Sequence, residues 1–115
     1  MPAVVDVSPD QLDNLIASGC ALIDIRSAED FAEGHIPGAI NIPARQLTSA
    51  PGRVTELLSD VPADSRTVAL VCLRGHTSRR IADEIADAPE LADLDLIHSL
   101  DGGTVAWEKA GHALG

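Results

Sequence analysis

Thr67-Val68-Ala69-Leu70-Val71-Cys72 runs straight into Leu73-Arg74-Gly75-His76-Thr77-Ser78, and the reading of this stretch decides the fold. The first part is apolar, rich in β-branched side chains and preceded by the polar turn Ala63-Asp64-Ser65-Arg66, so it reads as a strand. A helix from about Thr77 to Ala86 comes next. A strand that stays apolar instead of alternating belongs to a sheet covered on both faces, which is the habit of parallel sheets.

Working outward, Cys20-Ala21-Leu22-Ile23-Asp24-Ile25 is a second such run. Ahead of it, Ser8-Pro9-Asp10-Gln11 reads as a helix start: a hydroxyl cap, proline in the first turn, and Gln three residues after the cap. Leu12, Leu15 and Ile16 then mark one apolar face, and Gly19 is a natural stop. Ala28 to Glu33 reads as a short helix ended by Gly34, Ile36-Pro37-Gly38 as a turn, and Ala39 to Ile42 as a short strand. Helical pieces follow from Ala44 to Leu58, broken at Pro51-Gly52. Toward the C-terminus, Leu94 to Ile97 reads as a strand, Asp101-Gly102-Gly103 as a tight loop, and Thr104 to Ala110 as a closing helix stopped by Gly111. Apolar strands separated by helices predict an α/β three-layer domain, a mostly parallel sheet with helices on both faces.

A length of 115 residues suits one such domain over 1–115. No apolar run approaches the ~18 residues of a membrane span, and Met1 to Asp6 lacks a cationic signal-peptide head, so a cytoplasmic protein is expected. Eighteen acidic against eight basic residues give a net charge of −10, which disfavours nucleic acid and anionic membrane surfaces as partners. Phe31 and Trp107 are too few for a base-stacking platform. Cys20 and Cys72 form no C-x-x-C pair, and His35, His76, His98 and His112 show no metal spacing, so no metal site is expected.

Ligands of such sheets bind outside the carboxyl ends of the strands, where loops lead into helix N-termini. Cys72 sits at that edge. Gly75 can take positive φ, so the loop from Cys72 to Ser78 can turn several backbone N–H groups inward and cradle an anion. A helix N-terminus and nearby cations favour a thiolate over a thiol, which makes Cys72 a candidate nucleophile. Cys72 to Arg80 contains Arg74, Arg79 and Arg80 and no acid, and a positive pocket in a negative protein suggests a small anionic substrate. A plainer reading stands beside this one: an apolar-flanked cysteine is also a small buried hydrophobe. Arg79 and Arg80 each lie four residues before an acid, Asp83 and Glu84, and so can form exposed helix pairs, which leaves Arg74 as the better substrate contact. Cys20 opens a strand where Cys72 closes one; it is expected about 15 Å away, buried and inert.

Four features carry a resemblance. They are Leu22-Ile23-Asp24-Ile25-Arg26 followed by Phe31 and by Gly34-His35-Ile36-Pro37-Gly38-Ala39-Ile40-Asn41-Ile42-Pro43; the cysteine loop with Gly75 and Ser78; Asp101-Gly102-Gly103; and Trp107. In their order and spacing the chain resembles the single-domain rhodanese-like sulfurtransferases from about Val4 to His112. The resemblance implies a five-stranded sheet and a cysteine, matched by Cys72, that takes a sulfane sulfur from an anionic donor such as thiosulfate. The sulfur then passes, with no cofactor, to cyanide, a thiol or a partner protein's thiol. Leu73, Arg74, Gly75, His76, Thr77 and Ser78 would surround the substrate. Asp24 and Arg26, two apart on an extended chain, face one side and can brace the neighbouring loops. His35 to Pro43 reads as a shaped turn and strand entry, structural and not catalytic, and Gly102-Gly103 as a place where the backbone passes close to the cysteine.

There is one departure. Many members of that family carry Arg five residues after the cysteine, where this chain has Thr77. A hydroxyl there resembles the mercaptopyruvate-using branch, whereas Arg74 suits a thiosulfate dianion, so both donors stay open. Thr77 and Ser78 can donate to a persulfide or cap the helix. Cysteine-dependent phosphatases and arsenate reductases, on a related fold, place Arg six residues after the cysteine; Ser78 holds that position and Arg79 arrives one residue late. An idle rhodanese-like binding or regulatory module is the remaining alternative.

Overall fold

The computed structural model describes residues 1–58 and 66–115. Its chain order is β1 (Ala3–Val7), α1 (Pro9–Ala17), β2 (Ala21–Asp24), α2 (Ala28–Glu33), β3 (Ile40–Asn41), α3 (Ala44–Ser49), α4 (Gly52–Leu57), β4 (Thr67–Val71), α5 (His76–Ile85), a 3₁₀ turn (Pro89–Leu91), β5 (Leu96–Leu100) and α6 (Gly103–Lys109). The five strands form one sheet in the order β1-β5-β4-β2-β3, and every pairing is parallel. This is the expected α/β architecture, a five-stranded parallel sheet with helices on both faces. The turn expected at Ala63-Asp64-Ser65 lies outside the described residues.

The central strand explains the layers. Successive side chains of β4 point to opposite faces. Val68 and Leu70 enter a core with Ile23, Ile42, Leu47, Val54, Ile81, Ile85 and Ile97, under α3, α4 and α5. Ala69 and Val71 enter a second core with Leu12, Leu22, Ile36, Leu100 and Trp107, under α1 and α6. Burial on both faces is why β4 carries no alternation. At the start of α1 the reciprocal cap is present: Gln11 N–H donates to Ser8 Oγ at 3.2 Å, and Ser8 N–H to Gln11 Oε1 at 2.8 Å. No helix among the described residues is long and apolar enough to cross a membrane.

The structure differs from the sequence reading at two strands. The residue patterns predict four strands; the fifth is β1, Ala3–Val7, an edge strand built on the β-branched Val4, Val5 and Val7. β5 begins at Leu96 and not Leu94, because Leu94 N–H donates to Leu91 O at 3.0 Å and is held in the turn that follows Pro89. The shift matters, since it puts His98 and Ser99 inside the sheet.

His98 sits on β5 between Val5 of β1 and Ala69 of β4. It is 6% exposed, and neither ring nitrogen has a hydrogen-bond partner among the described residues. Burial disfavours the imidazolium and lowers its pKa. The unfolded chain therefore binds a proton near pH ~6.5 that the folded chain refuses until lower pH, so stability falls as pH drops through that window. Urea midpoints should decline between about pH 7.5 and about pH 5.5, and His98→Leu should flatten that decline.

Candidate active site

Cys72 follows the last residue of β4, and the loop that begins with it reverses direction at Gly75, where φ is +92°. That left-handed turn aims two backbone donors at one atom. Gly75 N–H donates to Cys72 Sγ at 3.1 Å and Ser78 N–H at 3.3 Å. The thiol itself donates to Ser78 Oγ at 3.4 Å, and Ser78 Oγ lies 2.8 Å from Ser99 Oγ and donates to Gly75 O at 3.2 Å. Ser78 and Ser99 are fully buried, so this hydroxyl pair is held rigidly beneath the sulfur.

Cys72 as a residue is only 5% exposed. It nevertheless lines a hollow of about 230 Å³ with Leu73, Arg74, His76 and Thr77. The loop residues expected around the cysteine are thus brought together. They divide by role: Gly75 and Ser78 contact the sulfur from below, while Leu73, Arg74, His76 and Thr77 are exposed at the rim. α5 has no side-chain cap, so capping does not account for Thr77 or Ser78.

Charge sorts the arginines. Arg79 pairs with Asp6 at 3.2 Å and with Asp83 at 3.4 Å, and Arg80 pairs with Glu84 at 3.1 Å, both on the exposed face of α5. Among the described residues Arg74 forms no ion pair. It is the loop cation left free to meet an anion.

Asp24 and Arg26 do share one side. Arg26 NH2 lies 2.7 Å from Asp24 Oδ2, Arg26 Nε donates to both carboxylate oxygens, and Arg26 N–H donates to Asp24 Oδ1 at 2.9 Å. The guanidinium also donates to Gly34 O at 2.7 Å, which ties the end of β2 to the turn after α2. The Asp24 hydrogen bond raises the Arg26 pKa, partly opposed by burial and reinforced by the charges of Asp24 and Asp30. Arg26 is thus held as a cation. Asn41 completes the brace by donating to Asp24 O and Arg26 O, both at 3.0 Å. The sequence places Asn41 in a short strand without a role at the site, and it gives no sign of Ser99, because the expected β5 stops before it.

Cys20 corrects an expectation. It is half-buried rather than buried, with Sγ 3.6 Å from Thr67 Oγ1. Burial raises its thiol pKa, and the Thr67 contact lowers it in part. The register Ala21↔Val68 to Asp24↔Val71 puts Cys20 and Cys72 at opposite ends of the sheet, and both are free.

The family model of the rhodanese-like domain matches residues 8–110. The chain is 31% identical over 94 residues to the thiosulfate sulfurtransferase GlpE of Shewanella oneidensis, covering 82% of this chain and 81% of that protein. It is 32% identical over 95 residues to an HTH-type transcriptional regulator of Mycobacterium tuberculosis, covering 83% of this chain but 37% of the regulator, so it spans well under half of that relative. The solved human single-domain sulfurtransferase TSTD1 superposes with a TM-score of 0.68 at 28% identity, over 95% of this chain and 96% of that one.

The loop is pinned from outside by glycines. At Gly103, φ +62°, an added Cβ would strike the carbonyls of Leu73 and Cys72, whereas at Gly19, φ +93°, it would meet open space. Gly19→Ala should therefore cost about 1 to 2 kcal/mol of conformational strain alone. Gly103→Ala should cost clearly more, about 3 kcal/mol or above, in urea unfolding. Equal losses would show that the close backbone approach does not matter.

Proposed function

The chain belongs to the rhodanese-like domain family, and from that membership we propose that it is a sulfurtransferase working through a persulfide on Cys72. In the first half-reaction the Cys72 thiolate attacks the outer sulfur of thiosulfate. A Cys72 Sγ–S bond forms, the S–S bond of the donor breaks, and sulfite leaves with the bonding electron pair, giving Cys72–S–S⁻. In the second, cyanide or a thiol takes the outer sulfur and Cys72 leaves as thiolate. No cofactor takes part in either step.

One observation carries this reading: two amide N–H groups converge on the Cys72 sulfur beneath a hollow whose rim holds Arg74, which has no ion pair among the described residues. Preorganised donors of this kind stabilise negative charge on sulfur without reorganising during the reaction. Arg74 would hold the sulfonate end of the donor. Asp24 and Arg26 would keep the adjoining turn in place, and Cys20, at the far end of the sheet, would take no part. Residues 1–115 are taken as one functional unit, built on a single sheet.

Relatives named as sulfurtransferases support the assignment, and the kinship to a transcriptional regulator supports the rival of an idle regulatory module. The intact amide cradle favours catalysis, because a binding surface has no need of donors focused on a thiol. Incubation with thiosulfate should add one sulfur to the intact mass, cyanide should remove it, and Cys72→Ser should take up none. Arg74→Ala should raise KM for thiosulfate about tenfold, the loss of roughly one charge-assisted contact. An unmodified wild-type mass under these conditions would sink the persulfide mechanism.

A further inference from the structure

Arg74 and His76 line two hollows at once. One is the hollow of Cys72; the other, of about 280 Å³, is completed by Gly102, Val105, Ala106 and Lys109. Like Arg74, Lys109 forms no ion pair among the described residues. Val105 and Ala106, both half-buried, give this second hollow an apolar lining alongside the two cations. On the other side of the exposed Leu73 a further hollow, of about 380 Å³, carries the acids Asp30, Glu33 and Glu108, and its arginine, Arg26, is already paired with Asp24. The surroundings of Cys72 are therefore cationic on one side and acidic on the other, on a chain whose net charge is −10.

We propose that the hollow bounded by Arg74 and Lys109 is a carboxylate subsite for the sulfur acceptor, and that Lys109 selects thiols bearing a short carboxylate tail. The inference rests on the persulfide reading above. A compact donor is held within the Cys72 hollow by Arg74, whereas Lys109 lines the second hollow and not that of Cys72. A thiol with a carbon chain between sulfur and carboxylate spans both. Its tail crosses Val105 and Ala106, its carboxylate meets Lys109, and the acidic hollow repels the opposite orientation. Once Cys72–S–S⁻ has taken a proton from water to become Cys72–S–SH, the acceptor thiolate attacks its outer sulfur. The new S–S bond forms as the Sγ–S bond breaks, Cys72 leaves as thiolate, and the proton stays on the transferred sulfur, giving R–S–SH.

The test compares discharge of the preloaded persulfide by 3-mercaptopropionate and by the neutral 2-mercaptoethanol, each as a second-order rate constant corrected for its thiolate fraction. The ratio should favour the carboxylate roughly 5-fold in the wild type, as expected for one partly solvated charge pair. Lys109→Ala should bring the ratio to about one, Lys109→Glu should invert it, and Lys109→Arg should restore it. A ratio that Lys109→Ala and Lys109→Glu leave unchanged overturns the proposal. An arm independent of sulfur chemistry titrates the unreactive 3-(methylthio)propionate and follows amide shifts. Saturable shifts at Gly102, Ala106 and Lys109 that vanish in Lys109→Glu support the subsite even if no persulfide loads, a result that would count against the Cys72 chemistry alone. Normal loading without such shifts overturns the subsite and leaves sulfur transfer standing.

Discussion

The geometry around Cys72 depends on an exchange of backbone hydrogen bonds between its loop and α6. Thr104 N–H donates to Cys72 O at 3.0 Å and Val105 N–H to Leu73 O at 3.1 Å. These are first-turn helix donors with no partner of their own, and the carbonyls belong to a loop with no ladder to enter. Each set satisfies the other. With its carbonyls turned out to α6, the loop is free to present the N–H groups of Gly75 and Ser78 to the sulfur. The contact is possible only because Gly75 and Gly103 lie at positive φ and leave no room for a side chain where the backbones meet, while a side chain at Gly102, also at positive φ, would strike Ala106.

Around this rigid centre the charges are sorted by pairing. Arg79 and Arg80 are committed to acids along α5, and Arg26 is committed to the buried Asp24, which steadies the turn at Gly34. Among the described residues Arg74 beside the cysteine and Lys109 beyond it form no ion pair. An acidic protein thus offers small anions a local attraction here, and the sulfur lies at its edge. The hydroxyls of Ser78 and Ser99 add polarity beneath the sulfur without adding charge, so the floor of the site remains part of the packed core.

Legibility in the sequence followed locality. The capping box of α1 was plain because Ser8 and Gln11 lie within one turn. The strand Thr67–Val71 was plain because both of its faces are buried, which leaves an unbroken apolar run. β1 was passed over because it is an edge strand with a mixed pattern, and its partner β5 lies about ninety residues along the chain. The start of β5 was misplaced because the turn after Pro89 captures Leu94, a residue as apolar as the strand itself.

By itself the sequence determined the α/β alternation, the position of Cys72 at the end of a parallel strand, and the glycine that turns the loop there, since each depends on residues within a few positions of one another. The spacing of Asp24 and Arg26 likewise foretold their pairing. Gly102-Gly103 also signalled a close backbone approach to the cysteine, which Gly103 makes. Only the tertiary structure decided that Ser99 lies under Ser78, that Asn41 locks Asp24 and Arg26, and that α6 brings Lys109 near the rim of the loop. Those contacts join residues far apart in the chain. Their register is set by how the helices pack on the sheet, a many-body outcome of core volume and backbone satisfaction that no short motif encodes.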